Sequence, residues 1–98
     1  MNKPKNTMKV SFPSRGANEG LARMLVAAFI TEADPTVEEL CDIKTAVSEA
    51  VTNCIVHAYP DRIGEIYIAA SLSESNLVTI KVRDHGCGCL LYTSDAAD

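Results

Sequence analysis

Apolar and polar positions alternate first near the start of the chain. Met8, Val10 and Phe12 are separated by Lys9 and Ser11, the period of a strand with one buried face. Pro13 to Gly16 read as a turn. Leu21, Met24, Leu25, Ala28 and Phe29 then recur at helical spacing and predict an amphipathic helix with these residues inward. Asn18 is the expected N-cap, and Glu19 sits favourably at the positive end of the helix dipole. A second helix should begin at Pro35-Thr36-Val37-Glu38-Glu39, where Thr36 can accept from the Glu39 amide and the Glu39 carboxylate can reach back. Pro35 and Leu40 are placed to form a hydrophobic staple across that start. Its apolar stripe is Leu40, Ile43, Val47, Ala50, Val51, Cys54 and Ala58, and Tyr59-Pro60 should stop it. Ile66, Ile68, Ala70 and Leu72 alternate with Tyr67, Ala69 and Ser71. Val78, Ile80 and Val82 alternate with Thr79, Lys81 and Arg83, and turn formers lie between the two runs, so a β-hairpin is expected. The order strand, helix, helix, strand, strand predicts an α+β two-layer sandwich. Its helices should cover one face of a mixed, mostly antiparallel sheet.

Composition narrows the possibilities. The chain has 98 residues, 47% hydrophobic and 22% charged, which suits one small globular domain and excludes a disordered tail. A net charge of −4 argues against a direct nucleic-acid binder. No apolar run approaches the roughly 18 residues of a membrane span, and Met1 to Thr7 lack the apolar core of a secretory signal, so a cytoplasmic protein is expected. Cys41, Cys54, Cys87 and Cys89 read as thiols rather than a disulfide framework, with Cys41 and Cys54 as small buried hydrophobes. His85, Cys87 and Cys89 are too closely spaced for a structural zinc site and lack a fourth ligand.

Three places can carry chemistry. Glu49, Asn53 and His57 follow one another at intervals of four on the second helix. A carboxylate there can act as a general base, and a carboxamide oxygen one turn away suits Mg²⁺. The alternative is an ordinary solvated helix face. Asp84-His85-Gly86-Cys87-Gly88 follows the last strand. Asp84 continues the inward parity of Val78, Ile80 and Val82, so its carboxylate needs a donor, for which an adenine amino group is suitable. Gly86 and Gly88 would let the backbone approach a ligand, or they simply form a turn. Arg23 stands four residues after Glu19, the spacing of a helical ion pair.

Ser48-Glu49-Ala50-Val51-Thr52-Asn53, with His57, resembles the N-box of the GHKL ATPase and kinase superfamily, and Asp84-His85-Gly86-Cys87-Gly88 resembles its first glycine box. Asn18-Glu19, Leu21-Ala22-Arg23, Ala33-Asp34-Pro35-Thr36, Glu39-Leu40 and Ile43-Lys44-Thr45 extend the likeness to the anti-sigma serine kinases of that superfamily. The resemblance spans Met8 to Gly88 and implies a partial Bergerat-type ATP-binding fold. It implies Glu49 as catalytic base, Asn53 as Mg²⁺ ligand, and Asp84, Gly86 and Gly88 around the adenine of ATP, with His57 near the nucleotide. Arg23, with Glu19 beside it, is implied as a contact for a sigma factor and an anti-anti-sigma substrate, in place of a mere surface ion pair. A homodimer is implied, with the first strand and helix near its interface. Other readings within this resemblance are a non-catalytic sigma-binding module and an anti-sigma kinase of a stress-response pathway.

The superfamily continues past the first glycine box with an ATP lid and a second glycine-rich box whose amides hold phosphate. Residues 1–88 are therefore expected to form the N-terminal part of such a domain, inactive by itself and weak in ATP binding. Residues 89–98 reverse-translate into a transposon-end sequencing adapter and are expected to be non-native.

Overall fold

A computed structural model describes residues 3–84 in full and residues 87–95 by their backbone. Strand β1 (Pro4–Pro13) leads into helix α1 (Ala17–Ile30), a short 3₁₀ turn (Thr31–Ala33) and helix α2 (Val37–Asn53). A π-turn (Cys54–Ala58) extends α2, and strands β2 (Glu65–Ser73), β3 (Leu77–Asp84) and β4 (Cys87–Asp95) follow. The four strands lie side by side in chain order, and all three pairings are antiparallel. The α+β sandwich is therefore as expected, with an antiparallel rather than mixed sheet among the described residues.

Strand parity sets the two faces of the sheet. Val10, Ile68 and Val82 form one inward row, and Met8, Ala70 and Ile80 the next. Ile66, Ile68, Leu72, Val78 and Ile80 are fully buried. Outward rows are Lys9–Ala69–Lys81 and Ser11–Tyr67–Arg83, where the Arg83 guanidinium lies 4.3 Å from the Tyr67 ring centroid. This alternation is what one buried and one solvated sheet face requires.

Helix α2 follows its sequence pattern closely. Thr36 accepts from the Glu39 amide at 3.0 Å, and the Thr36 amide donates to Glu39 Oε1 at 2.8 Å, completing the capping box. Ile43, Val47, Val51 and Cys54 are buried against the sheet and α1. Cys41 lies off this stripe and is exposed, which corrects its reading as a buried hydrophobe.

Helix α1 departs from its pattern in two ways. Its buried stripe is Ala22, Val26 and Ile30, while Leu21 and Met24 are 45% and 71% exposed. The helix is apolar on nearly every side, so the period alone leaves its inward face ambiguous. The stripe headed by Ala22 faces inward, and a residue that small lets the helix approach closely. Nor is Asn18 the N-cap: the cap is Gly16, two residues earlier, and Asn18 Nδ2 donates to the Pro13 carbonyl at 2.8 Å instead of accepting from the helix.

Two loops are pinned by specific geometry. Asn76 adopts φ 70°, which Asn tolerates better than most residues, and its Nδ2 donates to the Ala33 carbonyl at 3.1 Å. Tyr59 is buried, with its hydroxyl donating to the Glu65 carbonyl at 2.8 Å. Gly64 lies so close to that ring that a Cβ there would fall inside it. The Gly64 amide donates to Ser14 Oγ and the Ser14 amide to the Gly64 carbonyl, both at 2.9 Å, joining the end of β1 to the start of β2.

Candidate functional site

The C-terminal half of α2 runs above the end of β3, and a groove of about 510 Å³ opens between them. Its polar lining includes Glu49, Asn53 and His57 from the helix and its π-turn, and Asp84 from the strand; Ala50 and Val82 contribute apolar wall. Residues that the sequence separates by a complete hairpin thus meet at one place. The reason is topological: β3 lies next but one to the edge strand β1, under α2, and its inward parity carries Asp84 to the groove.

Among the described residues, the side chains of Glu49, Asn53, His57 and Asp84 take part in no hydrogen bond or ion pair. Glu49, Asn53 and His57 are exposed, and Asp84 is half-buried. The amide of Tyr59 donates to the Cys54 carbonyl at 3.1 Å, five residues back, so the last turn is wider than an α-turn. Such π-turns are frequent at functional sites. Here the turn changes the direction of His57 from that of a straight α-helix, yet His57 remains at the groove. The volume lies within the ordinary range for small-molecule sites, about 300–1,000 Å³.

His85 and Gly86 lie outside the described residues, as do the side chains of Cys87 and Cys89. Gly88 is described by its backbone, which is opposite Arg83 in the β3–β4 ladder.

Arg23 and Glu19 form the ion pair that their spacing predicts, at 2.8 Å. Arg23 Nη1 also donates to Ser48 Oγ at 3.3 Å, linking α1 to the residue that precedes Glu49. A second groove of about 300 Å³ runs between the two helices there, and Glu49 lines it as well. Lys44 belongs to this groove and was not singled out by the pattern of candidate residues. Its position one helical turn before Ser48 was the available signal. Among the described residues, no cluster of three or more His, Cys, Asp and Glu side chains could hold a metal ion, and no helix is long and apolar enough to cross a membrane.

Two helices over an antiparallel sheet, with a carboxylate and a carboxamide on the second helix facing an aspartate at a strand end, define a class. The family described as histidine kinase-like ATPase domain matches residues 12–96, and the chain belongs to it. Within the class, it is similar to the anti-sigma F factor of Thermoanaerobacter sp. strain X514, with 55% identity over 83 residues. The match covers 85% of this chain and 57% of that protein. The anti-sigma F factor of Clostridium kluyveri is 51% identical over 83 residues (85% and 58%), and that of Priestia megaterium 48% over 85 residues (86% and 58%). The chain thus spans less than two thirds of the length of these curated relatives.

Proposed function

We propose that the chain is the nucleotide-binding part of an anti-sigma factor that is also an ATP-dependent serine kinase. In this reading it sequesters a sporulation sigma factor and phosphorylates an anti-anti-sigma protein. The supporting observation is the convergence of Glu49, Asn53, His57 and Asp84, with unspent polar atoms, on one groove. The likeness to anti-sigma F factors supports the choice of partners.

The available side chains suit Mg-ATP. Asp84 offers a half-buried acceptor for the adenine amino group, which would offset the cost of its own partial burial. Asn53 offers a neutral oxygen to a hard cation that keeps water and phosphate oxygens as its other ligands. Mg-ATP, when bound, supplies the phosphoryl group and neutralises its charge. Glu49 stands where both grooves meet, and takes the proton from the acceptor serine hydroxyl as that oxygen approaches. His57 borders the nucleotide. Gly86 and Gly88 remain assigned to the adenine pocket by resemblance alone. Arg23, held by Glu19 and Ser48, contacts the protein partners, and the working form is a homodimer in the cytoplasm.

Glu49→Gln in the full-length protein tests the reading. Phosphate transfer should fall by about 10²–10⁴-fold, the usual contribution of a general base, while ATP affinity stays unchanged. Transfer at the normal rate would remove Glu49 as the base.

The exposed Leu21 and Met24, on the same helix as Arg23, favour a second reading as a sigma-binding module without catalysis. Methionine and arginine are enriched in protein interfaces. Sigma-factor binding by the Glu49→Gln protein, with transfer lost, would show that the two roles are separable.

Residues 89–98 we propose to be adapter-derived. Most of them lie in β4, whose ladder uses backbone groups that any non-proline sequence supplies. A long sequencing read across codon 88 tests this: continuation into a second glycine box supports it, and a genomic stop after codon 98 refutes it.

A further inference from the structure

We infer that Lys44 seats a carboxylate of the acceptor protein, about two residues from the hydroxyl that is phosphorylated. The inference rests on the kinase reading above and adds a determinant of acceptor choice.

The groove between α1 and α2 is lined by Arg23, Cys41, Lys44, Thr45, Ser48 and Glu49. On α2 these residues fall at intervals of three and four, so they form one continuous stripe. The two cations in this groove are not equivalent. Arg23 is paired with Glu19 at 2.8 Å and tied to Ser48 at 3.3 Å, so its charge is largely answered and its position fixed. Lys44 is half-buried, yet among the described residues it makes no ion pair and no hydrogen bond. Its ammonium group has three donors to offer.

The position of Glu49 identifies what Lys44 meets. Glu49 lines both grooves, and the one shared with Asp84 is taken by nucleotide in the proposed function. Glu49 also borders a third hollow with Ser48, Thr52 and Asn53, which shares Ser48 and Glu49 with the α1/α2 groove; in this inference the acceptor hydroxyl reaches Glu49 along the α1/α2 groove, across Lys44. At about 300 Å³ this groove has room for one or two side chains and not for a folded element. Lys44 precedes Glu49 by five helical residues, a rise of about 7.5 Å. An extended chain covers that distance in about two residues. The matching acceptor feature is an Asp or Glu two positions from the phosphorylated serine.

The test uses full-length protein with the anti-anti-sigma protein of the same genome as acceptor. Lys44→Glu should raise the acceptor KM about tenfold, as expected for losing a contact of that strength. Both kcat and ATP affinity should stay within about twofold of wild type, and the salt dependence of KM should flatten. Lys44→Ala should give a smaller rise, and Lys44→Arg should restore the wild-type KM. Replacing the acidic acceptor residue by its amide should raise KM for wild type but not for Lys44→Glu. A Lys44→Glu protein that melts like wild type and keeps the wild-type KM and salt dependence would overturn the inference. If wild type binds the acceptor but transfers no phosphate, the kinase reading fails. Equilibrium binding of the acceptor to wild type and Lys44→Glu then decides the role of Lys44: a loss upholds it, and equal affinity overturns it.

Discussion

Helices α1 and α2 cover the same sheet but use their surfaces differently. Helix α2 separates its functions around its axis: Ile43, Val47 and Val51 face the core, Glu49 and Asn53 the larger groove, and Lys44 and Ser48 the smaller one. Helix α1 sends Ala22, Val26 and Ile30 inward and leaves Leu21 and Met24 in solvent. A helix with one apolar stripe has its orientation written in its period. A helix apolar all round has its orientation chosen by its neighbours, and the unused apolar residues become available to partners.

That contrast can be broken in three steps of decreasing size. Ile43→Ala removes a buried side chain from the α2 stripe and should cost about 2–5 kcal/mol of stability, measured by denaturant unfolding. Thr36→Ala removes one half of the capping box and should cost about 1 kcal/mol, visible as a lower melting temperature without loss of the folded state. Met24→Ser, on the exposed face of α1, should change stability by no more than about 0.5 kcal/mol. A large destabilisation by Met24→Ser would place Met24 in the core and erase the distinction between the helices. An intact fold with weakened sigma-factor binding would sharpen it.

The same contrast explains what was legible in the sequence. The capping box of α2 is a local device, with Thr36 and Glu39 three residues apart, and it is found as expected. Strand parity is also local, and it placed Val78, Ile80 and Val82 inward. The meeting of Glu49, Asn53 and His57 with Asp84 needed more than local rules. Parity pointed Asp84 inward, but only the resemblance linked it to the helix. The face of α1 was not legible, because Leu21 and Ala22 are both compatible with helical spacing and packing distance decides between them. Asn18 was misjudged because Asn both donates and accepts: its amide group bonds the Pro13 carbonyl rather than capping the helix. Lys44 was passed over because its significance depends on Arg23 arriving from another helix.

The clasp between Ser14 and Gly64 bears on how the chain is built. These residues are 50 positions apart, and beyond them β1 and β2 pair along their whole length. On the ribosome, β1 emerges early and waits without a strand partner until both helices and the following loop have been made. The two helices can associate in that interval, since their contacts are nearer in sequence. Pairing of β1 with β2 comes late because closing so long a loop is entropically costly, whereas the β2–β3 hairpin closes locally. A nascent chain halted before β2 would thus expose the inner face of β1, with Met8, Val10 and Phe12, and would depend on chaperones until synthesis resumed.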